Sequence, residues 1–82
     1  IYAYRTSKAA LNMLMQNLAP DLAPRGIVTA AFCPGWIKTR MGGPTAPLEA
    51  PPSIAGLRRV IDSLTPERSG KFWLWNGDRL PW

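Results

Sequence analysis

The sequence predicts an α/β chain in the order helix, strand, loop, helix, strand, and three observations carry that prediction. Residues 4–22 place apolar side chains at helical spacing, residues 27–32 form a short β-branched run between turn residues, and residues 71–75 form an aromatic strand after a second helical stretch. A helix that turns tightly into a continuously apolar strand is half of an α/β crossover unit, and such strands belong to parallel sheets covered on both faces. The 82 residues hold one small domain at most. A chain of that size buries only about 60 to 65% of the surface its unfolded form exposes, so its stability alone is expected to be marginal.

Leu11, Leu14, Leu18 and Leu22 form the stripe of the first helix, widened by Ala9, Ala10, Met13 and Met15. A helix that is apolar most of the way round is buried on more than one side. One side is therefore expected to meet a partner or a further part of the protein. Pro20 has no N–H and crowds the preceding turn, which predicts a kink or an early stop. Ala23-Pro24-Arg25-Gly26 supplies the residues on which helices end.

Near the start of this helix stand Tyr4 and Lys8, four residues apart and so neighbours on one face. A phenol ordinarily titrates near about 10, and a nearby ammonium favours the phenolate, making such a tyrosine a usable proton donor and acceptor. On spacing alone, a chance pair on a solvated helix face is the commoner explanation.

Ile27-Val28-Thr29-Ala30-Ala31-Phe32 reads as the buried strand, and Cys33-Pro34-Gly35 ends it. The carboxyl ends of strands are where open parallel sheets bind ligands. Gly35 there allows close approach to the backbone, and Thr39 offers a hydroxyl. An ordinary Pro-Gly turn accounts for the segment equally well. The proline-rich stretch from Pro44 to Pro52 is expected to be irregular, either a flap over the site or a plain surface connection. Ser53 is placed as the cap of a second helix whose apolar positions are Ile54, Leu57, Val60, Ile61 and Leu64. After a polar turn at Thr65–Gly70, Lys71–Trp75 forms the second strand, ended by Asn76-Gly77-Asp78.

Composition narrows the possible functions. The net charge of +5 comes from ten Lys and Arg scattered along the chain, with only Arg58 and Arg59 adjacent. No basic stripe with interleaved aromatics points to nucleic acid. With Cys33 as the only cysteine and no histidine, neither an internal disulfide nor a zinc set is expected. No apolar run approaches the roughly 18 residues needed to span a bilayer, and no secretory-type leader precedes the helix, so a soluble, cytoplasmic setting is expected. The chain opens on Ile1 and runs directly into the helix that carries the chemistry. The expectation is the C-terminal part of something longer.

Taken together, Tyr4-x-x-x-Lys8 opening a long helix, the following strand, and Pro34-Gly35 with Thr39 four residues after the glycine resemble the C-terminal third of the short-chain dehydrogenase/reductase family. Gly35-Trp36-Ile37-Lys38-Thr39-Arg40-Met41-Gly42-Gly43-Pro44 and the ending Leu80-Pro81-Trp82 are similar to its carbonyl-reductase and C-factor-like branch. The resemblance implies that residues 1–82 are the C-terminal segment of a single NAD(P)-binding Rossmann-fold domain, a doubly wound parallel sheet, with no second domain. It implies an NAD(P)-dependent oxidoreductase that interconverts a small carbonyl compound and its alcohol, with NADP favoured by the branch.

In that reading Tyr4 is the general acid or base and also one of the cofactor-binding residues. Lys8 lowers its pKa and binds the nicotinamide ribose. Pro34, Gly35 and Ile37 border the nicotinamide, and Thr39 bonds to the cofactor's amide or phosphates. The family also implies a homo-oligomer through the Tyr4–Leu22 helix. Its glycine-rich turn and catalytic serine belong upstream of Tyr4, so the 82 residues alone are expected to be inactive. The alternative is a non-catalytic interaction module.

Overall fold

A computed structural model describes residues 1–82. Helix α1 spans Tyr2–Leu22, strand β1 Ala30–Cys33, helix α2 Ala50–Asp62, strand β2 Lys71–Leu74 and strand β3 Arg79–Leu80. Short 3-10 turns lie at Ala23–Arg25 and Pro66–Arg68. The strands form one sheet in the order β1-β2-β3. β1 and β2 are parallel, in a register that pairs Ala30 with Lys71 and Cys33 with Leu74. The predicted α/β class with a parallel crossover is therefore present.

α1 passes through Pro20 without ending. The expected early stop does not occur, because Pro20 lies near the end of the helix and the main-chain bond from Ala23 to the Ala19 carbonyl still forms. Within the segment the sequence indicated, α1 ends at Leu22 and passes into the 3-10 turn Ala23–Arg25, which stops at Gly26. That residue adopts φ 72° and donates its N–H to the Ala23 carbonyl, a left-handed conformation that costs glycine nothing sterically.

The face of α1 turned to the sheet differs from the predicted leucine stripe. Ala19 is buried, and a Cβ on Gly70 would lie 2.7 Å from the Ala19 Cβ. Met15, Leu18 and Leu22 are half-buried around it, while Leu11, Met13 and Leu14 are about half exposed. The small Ala19–Gly70 contact, rather than a leucine, sets the distance between helix and sheet.

The first strand begins later than the β-branched run suggested. Ile27–Thr29 is irregular and β1 occupies Ala30–Cys33. Thr29 is tied down by its N–H, donated to Ser69 Oγ at 2.9 Å, and by its carbonyl, which accepts the Gly70 N–H at 2.8 Å. All four residues of β1 are only half-buried, and β1 stands at an edge of the sheet. The expected burial on both faces is not met within these residues.

α2 corrects the reading of the proline-rich stretch and of Ser53. The helix starts at Ala50 with Pro51 and Pro52 in its first turn, and Glu49 is the cap residue. Prolines fit there because first-turn N–H groups have no intrahelical acceptor. Ser53 lies inside the helix and is fully buried, its Oγ donating to the Pro34 carbonyl at 2.7 Å. The inward face is Ser53, Gly56 and Val60, whereas Ile54 and Ile61 are about half exposed. Gly56 is required: a Cβ would collide with the Trp75 carbonyl oxygen and approach Trp75 Cε3 to 2.9 Å.

One strand was not foreseen. β3 pairs antiparallel to β2 through a turn at Asn76-Gly77, with Leu74 N–H donating to the Asp78 carbonyl at 2.7 Å and Gly77 at φ 98°. Trp73 on β2 is 6% exposed, and the Arg68 guanidinium stacks 4.3 Å from its ring. Arg68 is held in turn by hydrogen bonds donated to Ser63 O and Oγ. No helix is long and apolar enough to cross a membrane.

Candidate active site

A cleft of about 860 Å³ opens between the start of α1, strand β1 and the loop that follows it, within the size range of small-molecule sites. Its lining includes Tyr4, Lys8, Pro34, Gly35, Ile37 and Thr39, the six residues singled out from the sequence. The fold explains this convergence. α1 runs antiparallel to β1, so the N-terminal end of the helix lies beside the C-terminal end of the strand. Residues nearly thirty apart in sequence thus share one wall.

Lys8 Nζ stands 5.7 Å from the centroid of the Tyr4 ring, within the range of a cation–π contact. No hydrogen bond joins the two side chains, and both are exposed. The ammonium therefore lies beside the ring, with its three donors free for another group. Asn12 continues the ridge one turn further on. Tyr4, Lys8 and Asn12 also border a shallower groove of about 570 Å³ along the other side of α1, which reaches Trp82. Trp82 stacks on Phe72 with ring centroids 5.5 Å apart. Asn12 was missed from the sequence, although its i+4 spacing from Lys8 places it on the same face.

The loop Pro34–Gly43 is built from internal bonds. Trp36 Nε1 donates to the Gly42 carbonyl at 2.7 Å, and the Gly42 N–H donates to Thr39 Oγ1 at 3.0 Å. A Cβ on Gly42 would strike the Ile37 carbonyl oxygen, so the turn closes only around glycine. Thr39 Oγ1 thus serves first as a turn acceptor. Its hydroxyl proton remains available, as the side chain borders the cleft.

Gly35 does allow a close approach to the backbone, and the groups that approach belong to the protein itself. Its φ is 86°, and a Cβ would meet Leu48 Cδ2 and Trp75 Cδ1 at 3.0 Å. Its missing side chain makes room for the protein's own packing, and the left-handed backbone turns the chain out of the strand. Leu48 belongs to the segment pictured as a flap. That segment is instead pinned alongside the loop: Lys38 N–H donates to the Leu48 carbonyl at 2.8 Å, Leu48 N–H donates to the Trp36 carbonyl at 3.3 Å, and Ala46 is 1% exposed. Lys38 and Glu49 add a surface ion pair at 3.0 Å, worth about 1 kcal/mol at most. Residues 44–49 do not line the cleft. Trp36, Met41 and Gly42 do, and Met41 is 85% exposed.

The donors here are a phenol, an ammonium and a hydroxyl on an otherwise largely apolar wall of Leu11, Met15, Phe32, Ile37 and Phe72. Such a set suits a flat ring that carries polar substituents, with a proton exchanged at one edge. Beside a parallel α/β crossover, at the carboxyl end of β1, this cleft is a candidate ligand site.

Comparison with known proteins identifies the class. The family profile described as short chain dehydrogenase matches residues 1–49, and the chain belongs to that family. Among curated relatives it is 54% identical over 81 residues to C-signal of Myxococcus xanthus, covering 99% of this chain and 49% of that protein. Among solved structures it superposes on the carbonyl reductase Sniffer of D. melanogaster with a TM-score of 0.93 at 43% identity. It superposes on the NADPH-bound carbonyl reductase from chicken fatty liver with a TM-score of 0.92 at 37% identity. Each superposition covers 99% of this chain and 33% of the reductase. The chain thus spans about half the length of its C-signal relative and a third of each reductase.

Proposed function

We propose that the intact protein containing these residues is an NADP- or NAD-dependent reductase of small carbonyl compounds, and that residues 1–82 supply its proton-donating wall. The observation that carries this reading is the convergence of Tyr4, Lys8, Pro34, Gly35, Ile37 and Thr39 on one cleft. The NADPH in the chicken reductase favours NADP over NAD.

The residues present fit a nicotinamide. An apolar wall at Ile37 and Pro34 suits the ring face, while the Thr39 hydroxyl and the loop backbone suit its carboxamide. A bound nicotinamide supplies or accepts the hydride. Tyr4 donates its phenolic proton to the carbonyl oxygen during reduction, and takes it back from the alcohol during oxidation. Lys8 holds the ribose hydroxyls with its ammonium, and its charge beside the Tyr4 ring stabilises the phenolate left after proton transfer. The apolar wall excludes water from the reacting carbonyl.

The inner part of the cleft lies along β1, at the edge of the sheet. Parallel strands are normally paired and covered on both sides, so a further strand from outside these residues is proposed to fill that part, leaving the mouth at Pro34–Ile37 for the ligand. The outer face of α1, with Met13 and Leu14 exposed, is proposed to pack against a second subunit; sedimentation of the intact protein separates a paired state from a monomer.

The test is reduction of a small diketone by NADPH in the intact protein and in its Lys8→Met form. Turnover is expected in the first. In the second, kcat is expected to fall about a hundredfold with a raised KM for NADPH. Turnover that is indifferent to Lys8→Met would reject the assignment.

A further inference from the structure

We infer that Ser53 is a positioning residue for the cleft, acting through the Pro34–Gly35 peptide; the inference rests on the reductase reading for its ligand but not for its geometry. Three observations carry it.

The first is burial. Ser53 is the only polar side chain that is fully buried, and a hydroxyl taken from water without a partner is costly. Its partner is a single atom, the Pro34 carbonyl oxygen at 2.7 Å. The second is that this carbonyl has no other donor. No backbone N–H reaches it, whereas the neighbouring Cys33 carbonyl accepts the Trp75 N–H at 2.9 Å. The sheet ladder thus ends one residue before Pro34, and the Ser53 hydroxyl takes over from it.

The third is what lies on the other end of the same peptide. The Pro34–Gly35 bond is trans, so the Gly35 N–H points opposite to the carbonyl that Ser53 holds. That N–H donates to no acceptor within the chain, while Pro34 and Gly35 both line the cleft. With Gly35 at φ 86°, the peptide sits at the pivot where the chain leaves the strand. Fixing its carbonyl fixes the direction of a free donor and the start of the loop that carries Ile37 and Thr39.

α2 is positioned to do this rigidly. Gly56, one turn beyond Ser53, packs directly on the Trp75 carbonyl and ring, and the Trp75 ring in turn occupies the space a Gly35 side chain would need. A helix well removed from Tyr4 in sequence thus grips the turn from behind, by a hydrogen bond at Pro34 and a ring at Gly35.

The test compares the intact protein with its Ser53→Ala and Ser53→Cys forms, using NADPH and ADP-ribose as separate probes. Ser53→Ala is expected to weaken NADPH binding about tenfold and leave ADP-ribose binding unchanged, because the residue acts only on the nicotinamide end. Ser53→Cys, which keeps the size and a weak donor, is expected to recover part of the loss. Should Ser53→Ala fail to fold, the Cys form decides by the same comparison.

Equal loss for both probes, or none for either, overturns the inference. Amide hydrogen exchange over residues 35–39 without any ligand gives a separate arm: faster exchange in Ser53→Ala supports the positioning role, and unchanged exchange overturns it. A protein that binds no NADPH but shows that faster exchange rejects the reductase reading alone.

Discussion

Replacing Tyr4 by phenylalanine is expected to lower kcat for carbonyl reduction about a thousandfold in the intact protein while NADPH binding changes little. The phenolic oxygen is the one atom removed, and Tyr4 is half exposed near the start of α1 with no side-chain partner that the loss would strand. Stability is therefore expected to stay within about 0.5 kcal/mol, as for surface substitutions generally. The size of the kinetic effect follows from proton transfer by a placed side chain, which contributes roughly a hundred- to ten-thousandfold. Steady-state kinetics and NADPH fluorescence titration separate the two quantities. A variant that keeps wild-type kcat would remove Tyr4 from the proton path.

Gly56→Val is expected to be the most damaging single change outside the cleft. Even one Cβ at this position meets the Trp75 carbonyl and ring, and valine adds two methyl groups. Backbone cannot move aside as a flexible side chain can, and overpacking of this kind costs about 1 to 3 kcal/mol or more. Here about 3 kcal/mol is expected, measured as a lower urea midpoint. Because Trp75 also fills the space beside Gly35, weaker NADPH binding should accompany the lost stability.

The contrast between these two predictions reflects what the sequence disclosed. Local rules singled out Tyr4 and Lys8, as i and i+4 on a helix, and Pro34, Gly35 and Thr39, in a turn after an apolar strand, whereas Ile37 came only from the family resemblance; all six line one cleft. Ser53 was misread for an instructive reason. A serine followed by an apolar helical pattern has the signature of a cap, but the prolines at 51 and 52 already occupy the first turn, and burial then turned the hydroxyl to another element. Only the fold shows that its partner lies 19 residues away.

Similar limits apply elsewhere. The leucines of α1 suggested the packing stripe, yet the close approach at Ala19 and Gly70 selects the face, since small residues let helix and sheet meet. β3 was missed although Asn76-Gly77 is a strong hairpin signal; the two-residue strand Arg79–Leu80 is too short to show any alternation. The half-buried state of β1 was not legible, because its place at the edge of the sheet follows from the pairing order and not from its own residues.

The central claim is that the cleft between Tyr4 and Ile37 is where the nicotinamide sits. A crystal structure of the intact protein with NADPH measures this directly. The account predicts the nicotinamide ring against Pro34 and Ile37, the Lys8 ammonium on its ribose, and the Tyr4 hydroxyl facing the open side of the ring where a carbonyl would stand. A nicotinamide bound elsewhere, with Tyr4 and Lys8 untouched, would contradict it.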